Sequence, residues 1–167
     1  MNKLVTLVSV FFLNLIIVFS IHANSRNNPE TLDRLLDSSE KFFFSLEKGE
    51  YQTAWELLSE KSHKTIINDV YKATRKLQKD IKKEDIANDF LTGGIMFRNY
   101  WYAFAGNFDS KMILEESRWE IGYISKERAE IIITYKKTEH SATLKMFKEN
   151  NTWKVGLVET FWTRKYR

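Results

Sequence analysis

Residues 112–163 read MILEESRWEIGYISKERAEIIITYKKTEHSATLKMFKENNTWKVGLVETFWT, and this stretch decides the fold class. Apolar and polar side chains alternate along most of it, which is the period of a half-buried strand. The joins between the alternating segments are short and polar, as in hairpins. The pattern predicts an antiparallel meander whose four strands cover 112–124, 128–136, 141–148 and 152–163.

The chain before this stretch has the apolar spacing of helices instead. Asn28 suits an N-cap, Pro29 the first helical position and Gly49 a helix end. Helices followed by strands indicate an α+β fold, with N-terminal helices packed on a curved antiparallel sheet of about four strands. The helices are predicted over 28–49, 51–58, 64–82, 85–91 and 95–105.

The alternation also predicts which side chains share a face of the sheet. In the last strand, Glu159 has the same parity as Trp153, Val155 and Phe161, so a carboxylate is expected among apolar neighbours. In the first strand, the same argument places Glu115 on the face of Trp119.

Length and composition exclude several classes of protein. The 167 residues suit one domain, predicted over 31–167 after a short segment, 24–30. The absence of Cys excludes a disulfide scaffold, a zinc–thiolate site, an iron–sulfur cluster and a cysteine nucleophile. A net charge of +4 is mild and does not indicate a nucleic-acid partner.

The first residues have the pattern of an export signal. Lys3 is followed by an uncharged apolar run, 4–21, and by Ala23 in an aliphatic-x-Ala context. We therefore predict a signal peptide over 1–23, cleavage after Ala23, and a periplasmic or secreted protein. In the alternative, residues 4–21 stay as an inner-membrane anchor. Membrane attachment is expected only in that case.

The spacing Phe43-x-x-Leu46-x-x-Gly49-x-Tyr51-x-x-Ala54-Trp55-x-x-Leu58-Ser59, followed by helices and a terminal meander, resembles the nuclear transport factor 2-like (cystatin-like α+β) superfamily. The similarity is to its exported bacterial members. The resemblance implies a sheet wrapped round helices as a cone, with a pocket at the open end. Some members of the superfamily are ketosteroid isomerase-like enzymes and many are binding or accessory domains, so the fold does not decide the function.

Few residues suggest catalysis. His63 and His140 are expected to be solvated, and no spacing of ligands predicts a metal site or a cofactor. The candidates for acid–base work are Glu159 and then Glu115, because a carboxylate among apolar groups suits a general base. The resemblance to ketosteroid isomerase-like members implies Tyr123 or Tyr135 as the partner of this carboxylate. The alternative is that Glu159 points to solvent or pairs with an Arg such as Arg98.

Aromatic residues make up 14% of the chain and are the largest signal in it. Most are expected to form the core, and a minority to line a pocket for an apolar ligand. The candidates for that lining are Phe97, Tyr100, Trp101, Phe104, Trp119, Tyr123, Tyr135, Trp153 and Phe161. Phe108 is a further aromatic residue of the same region.

A stripe of basic residues lies along the third predicted helix, opposite its apolar face. Its helical spacing is typical of a solvated face, and the alternative is a surface for anionic lipid or an acidic partner. The stripe consists of Lys72, Arg75, Lys76, Lys79, Lys82 and Lys83.

These observations predict an exported, non-catalytic domain that binds a small hydrophobic ligand or an envelope protein through a cone pocket or a sheet face. The alternative is an isomerase, hydrolase or dehydratase of the ketosteroid isomerase-like type that uses a pocket carboxylate. Neither function implies a cofactor, and a homodimer is left open.

Overall fold

The computed structural model describes residues 28–161, in which helices precede a four-stranded antiparallel sheet. The α+β class predicted from the change of period is therefore confirmed, and the sheet is not closed. The predicted signal peptide and residues 162–167 lie outside the described residues. The elements are α1 (Pro29–Lys48), α2 (Tyr51–Glu56), α3 (Glu60–Arg75), α4 (Lys83–Thr92), α5 (Ile95–Ala105), α6 (Ser110–Glu115), β1 (Ser117–Ile124), β2 (Arg128–Tyr135), β3 (Ser141–Glu149), β4 (Thr152–Val155) and α7 (Leu157–Phe161).

Helix α1 begins and ends where its capping residues predict. The Asn28 side chain accepts a hydrogen bond from the Glu30 N–H at 3.1 Å, and Pro29 occupies the first turn. Gly49 ends the helix in the left-handed region at φ 71°, and its N–H bonds to the Leu46 carbonyl. Glycine adopts this conformation without the steric cost that a side chain brings.

The prediction of a third helix over 64–82 is wrong at both ends. Helix α3 begins at Glu60, because the Ser59 side chain accepts a hydrogen bond from the Ser62 N–H at 3.1 Å and caps the first turn. The helix ends at Arg75, since Leu77 finds no surface to pack on and is 92% exposed. The helical spacing of apolar residues continues through Leu77 in the sequence, but Leu77 is not buried in the structure.

The turn between α4 and α5 is closed by Asp89. Its carboxylate accepts a hydrogen bond from the Phe97 N–H at 2.7 Å, so a side chain of one helix caps the start of the next. Gly94 lies against this carboxylate, and a Cβ at that position would occupy the place of the Asp89 oxygens. The close approach explains why glycine precedes α5.

The first predicted strand, 112–124, is wrong over its first half. Residues Ser110–Glu115 form α6, which Asp109 caps by accepting a hydrogen bond from the Met112 N–H at 2.9 Å. Strand β1 begins only at Ser117, whose hydroxyl donates back to the Met112 carbonyl at 3.2 Å. Glu115 therefore lies at the end of a helix and not on the sheet face of Trp119.

The last predicted strand, 152–163, is confirmed over Thr152–Val155 and is wrong from there to Phe161, because β4 ends at Val155. Gly156 donates to the Lys145 carbonyl at 2.8 Å, and a Cβ on it would collide with the Phe147 ring. The chain then turns into α7, which breaks the alternation on which the shared face of Glu159 rested. Glu159 lies on this short helix.

The middle strands follow the predicted alternation. Ala129, Ile131 and Ile133 of β2 are buried opposite Met146, Leu144 and Ala142 of β3. Of these partners, Leu144 and Met146 are buried as well. Strand β1 departs from the alternation at a register shift between Ile121 and Tyr123, which leaves Tyr123 52% exposed.

The core lies between the helices and the inner face of the sheet. Its largest fully buried side chains come from both halves of the chain, and Trp101, Phe42, Phe43 and Phe90 are the most voluminous. Aromatic rings contact one another across elements, as Phe43 does with Trp119 at 5.6 Å between centroids. Within residues 28–161, no helix is long and apolar enough to cross a membrane.

We expect Asp89→Ala to lower the free energy of unfolding by about 1 kcal/mol, because the Phe97 N–H at the start of α5 loses its acceptor. Urea denaturation measures this change. Asn88→Ala is the matched control, since Asn88 is exposed on the same helix. Equal stability of the two variants would contradict the capping role of Asp89.

Candidate functional site

Glu159 is bound to two serines at the start of α3. Its carboxylate oxygens accept hydrogen bonds from the Ser59 hydroxyl at 3.1 Å and the Ser62 hydroxyl at 2.8 Å. Ser62 is completely buried, and its oxygen also accepts from the Val158 N–H at 3.1 Å. These contacts join α7 to α3 and give Glu159 a structural function.

The other members of the predicted acid–base set are dispersed. Glu115 is exposed beside Lys111, with 3.9 Å between Lys111 Nζ and Glu115 Oε2. Tyr135 packs near the Lys137 ammonium group, and Arg98 donates to the Gly93 carbonyl at 2.7 Å instead of pairing with Glu159. Tyr123 alone shares a concave surface with Glu159.

His63 is partly buried, whereas the sequence predicted a fully solvated side chain. Its ring stacks on Trp55 with 4.0 Å between centroids, and Nε2 lies 2.7 Å from the Trp55 carbonyl oxygen. Because a carbonyl only accepts, Nε2 carries the proton. Burial lowers the pKa of His63, and the hydrogen bond to the carbonyl opposes this only in part. His140 is exposed, as expected.

The aromatic residues proposed as a pocket lining mostly pack against one another. Phe97, Trp101 and Trp153 are buried in the core. Tyr123 and Phe161 are exposed, and the remaining four, Tyr100, Phe104, Trp119 and Tyr135, are partly buried. Phe108 connects this cluster by stacking on Phe104 at 5.0 Å and on Phe43 at 5.8 Å.

Two polar atoms inside the cluster lack partners. Tyr100 Oη and Trp101 Nε1 are buried, and neither has a hydrogen-bond partner within residues 28–161. Burial raises the pKa of Tyr100, and the charge of Asp69 adds to the shift. Tyr100 is therefore a neutral phenol at physiological pH.

The basic stripe does not lie on one helix. Lys72 and Arg75 belong to the last turn of α3, Lys76 and Lys79 to the connection that follows, and Lys83 to the start of α4. Lys82 precedes Lys83 as the N-cap of α4. All six are exposed, and no ion pair involves them within the described part of the chain.

The main concave surface described lies between α3 and the sheet. One wall is α3, the other is formed by Tyr123 of β1, the first residues of β2 and part of β3, and α7 closes one side. The cavity volume is about 870 Å³. Six cationic side chains line it, namely Lys61, Lys64, Lys72, Lys83, Arg128 and Lys145, and we call this surface the cationic cleft.

The charges of the cationic cleft are mostly uncompensated. Lys64 pairs with Glu60 at 2.6 Å, and the other five cations form no ion pair within residues 28–161. The acidic side chains in the lining are Glu130 and Glu159, of which Glu159 is bound to the two serines. Like charges gathered on a concave surface attract anions.

Apolar side chains complete the cleft. Met146, Phe147 and Val158 lie in its lining together with the polar Thr65 and Asn68 of α3. The cleft therefore offers positive charge, hydrogen-bonding groups and an apolar floor. No cluster of His, Cys, Asp and Glu in the described part of the chain is arranged to hold a metal ion.

Sequence reasoning missed most of the cleft. Lys61, Lys64, Thr65, Asn68 and Lys72 follow helical spacing, so they form one face of α3. That spacing was present in the sequence, but the fold alone shows that this face borders a cavity. Arg128 and Lys145 have no sequence signal, because they reach the cleft from separate strands.

Comparisons with known proteins give no relative. No protein-family model, no curated protein and no solved structure matches the chain. The resemblance to the nuclear transport factor 2-like superfamily therefore stays a prediction.

We expect Ser62→Ala to lower the free energy of unfolding by about 2 kcal/mol. The change removes the donor to Glu159 and leaves the buried Val158 N–H without an acceptor. Urea denaturation of Ser62→Ala measures the loss. Ser38→Ala is the control, since that hydroxyl makes no hydrogen bond to the described residues, and a loss no larger than the control's would refute the structural role.

We expect acid to weaken the fold through His63. The pKa of His63 is lowered in the folded state, so the unfolded chain binds the proton more readily. The contribution is complete above the unfolded pKa of about 6.5 and is lost as the pH falls through the lower folded pKa. The urea concentration at the midpoint of unfolding should therefore fall as the pH is lowered from 8 to 5.

His63→Phe keeps a ring on Trp55 and removes the titrating group. The Trp55 carbonyl retains the hydrogen bond from the Leu58 N–H at 3.0 Å. This variant should lose most of the pH dependence in that range, whereas His140→Gln should keep it. An unchanged slope in His63→Phe would show that another group is responsible.

Proposed function

We propose that the protein is a non-catalytic domain that binds an amphiphilic organic anion in the cationic cleft. The observation that supports this most directly is the convergence of cations from α3, α4, β2 and β3 on one concave surface, where all but Lys64 form no ion pair within residues 28–161. Positive side chains that neutralise no neighbour are available to a ligand. A binding function agrees with the prediction from the sequence, while the chemistry of the ligand differs from it.

The size and lining of the cleft favour a small molecule. A cavity of about 870 Å³ falls within the range of small-ligand sites. The negative group of the ligand would contact the lysines that line the cationic cleft. Its apolar part would cover Phe147 and Tyr123, the large apolar lining residues that are not buried, which removes apolar surface from water.

A purely hydrophobic ligand has less support. Such a ligand was predicted from the aromatic residues, of which Phe97, Trp101 and Trp153 are buried in the core. Tyr123 is the member of that set that lines the cationic cleft. A charged group in the ligand uses the lysines that a neutral molecule would leave without partners.

The enzymatic alternative also has less support. A general base must exchange a proton with the substrate, and both Glu159 oxygens already accept hydrogen bonds that hold α7 to α3. Glu115, the second candidate, is exposed on α6 and outside the cleft. Tyr123 remains beside Glu159 in the lining.

We also propose that the domain works outside the cytoplasmic membrane, as the sequence of residues 1–23 indicates. The nuclear transport factor 2-like superfamily is our proposal for its family. Both proposals rest on sequence pattern alone, and the anion-binding cleft requires neither of them.

The probe for the cleft is 8-anilinonaphthalene-1-sulfonate, an aromatic sulfonate whose fluorescence rises in apolar surroundings. We expect saturable binding to the folded protein. Lys61→Gln/Lys145→Gln should weaken it by about tenfold, because each charge contact at an exposed site is worth somewhat under 1 kcal/mol.

Two controls separate the alternatives. Lys41→Gln/Lys126→Gln removes the same charge outside the cleft and should leave the affinity within twofold of the original. N-phenyl-1-naphthylamine has a similar ring system without the sulfonate and should bind more weakly. Equal binding of the neutral probe would favour the hydrophobic ligand, and equal losses in both lysine variants would refute the cleft as the site.

A further inference from the structure

A basic loop joins α3 to α4. It covers residues 76–82, and both of its ends are fixed to the fold. At the first end, the Leu77 and Gln78 N–H groups both donate to the Thr74 carbonyl at 2.9 Å. At the second end, Ile81 is buried and the Lys82 N–H donates to the Asp85 carboxylate at 2.9 Å. The loop therefore holds a defined shape at the surface.

Leu77 points away from the protein at the start of the basic loop. It is 92% exposed, more than any other large hydrophobic side chain among the described residues. A single exposed leucine is ordinary on a protein surface. Leu77 differs from an ordinary exposed leucine, because most of the charged side chains near it in the sequence are positive.

Cations precede and follow Leu77 along the chain. Residues 72–85 contain six basic and three acidic residues, so the segment is positive. One acid, Asp85, is occupied as the acceptor for the Lys82 N–H. The Arg75 guanidinium lies 5.9 Å from the Tyr71 ring, and the lysines make no ion pair within residues 28–161.

We propose that the basic loop docks on a bilayer that contains anionic lipids. The lysines contact lipid phosphates, and Leu77 enters the boundary between headgroups and acyl chains. Both parts are needed for a stable contact, since electrostatic attraction and apolar insertion add. A nucleic acid would satisfy the lysines and leave Leu77 in water, so the observations favour a lipid surface.

Docking on lipid is independent of the proposed function. Leu77, Lys76 and Lys79 do not line the cationic cleft, whereas Lys72 and Lys83, which flank the basic loop on α3 and α4, do. Docking by the basic loop would bring the part of the cleft lined by Lys72 and Lys83 near the membrane. Variants at 76, 77 and 79 test the loop without changing the cleft.

The experiment uses the absence of Cys from the chain. Gln78→Cys carries a nitrobenzoxadiazole fluorophore within the basic loop, and Thr138→Cys carries it on the exposed β2–β3 turn. Vesicles contain phosphatidylcholine with or without 30% phosphatidylglycerol. We expect a blue shift and protection from iodide for the probe at 78 with anionic vesicles only, and no change for the probe at 138.

The two probe positions also separate insertion of the basic loop from membrane attachment through the N-terminal segment. If residues 4–21 are retained, they attach both labelled proteins to every vesicle, and insertion of the loop is still reported by the probe at 78 alone. The response should weaken with added salt, because the contact depends on exposed charges.

Variants made in the Gln78→Cys chain measure the two contributions. Lys76→Gln/Lys79→Gln should reduce the partition coefficient by about twentyfold, since each basic side chain at an anionic surface contributes a factor of about five. Leu77→Ser should abolish the blue shift. Lys41→Gln/Lys126→Gln removes the same charge elsewhere and should change partitioning less than twofold.

Several results would overturn the proposal. The probe at 78 could keep its spectrum with anionic vesicles, or respond equally to neutral ones. Equal losses in the two lysine pairs would show that net charge, and not the basic loop, governs attachment. All variants should bind 8-anilinonaphthalene-1-sulfonate alike, so failure of the loop and failure of the cleft are distinguishable.

Discussion

Two backbone hydrogen bonds hold the helical half of the chain to its sheet. Val155 of β4 donates to the Leu57 carbonyl at 2.8 Å, and its carbonyl accepts from the Ser59 N–H at 2.9 Å. An edge strand normally exposes such groups to water or to other chains. Here the α2–α3 connection pairs with the edge, in parallel, at Leu58. The position of α3 depends on this pairing.

The side chains of Ser59 and Ser62 then fix the orientation of α3 relative to the sheet. Ser59 caps α3, Ser62 of the same turn binds the Val158 N–H, and both hydroxyls bind Glu159. Because these polar groups are largely buried, the loss of any of these hydrogen bonds would lower the free energy of unfolding. Helix α3 is consequently held across the end of the sheet, and the space left between them is the cationic cleft.

The two proposed surfaces follow from where α3 starts and stops. Its first turns, with Lys61 and Lys64, border the cleft, and the connection after Arg75 presents Leu77 to solvent. Apart from Lys64, the cations of both surfaces form no ion pair within residues 28–161. The molecule has a mild net charge, and yet six positive side chains line the cleft beside α3 and further lysines follow the end of this helix.

Local patterns in the sequence determined the class of the fold and most of its helix and strand assignments. The Asn28 cap, the Gly49 stop and the alternation of β2 and β3 act over a few residues, so they could be recognised without a structure. The same patterns failed at Glu115 and Glu159, where Asp109 and Gly156 turn the chain into helices. Only the tertiary structure decided those places, because long-range partners such as Ser62 and Phe147 determine how α7 packs against α3 and β3. It also decided the cleft, since the proximity of Lys61, Arg128 and Lys145 is a property of packing that no local spacing records.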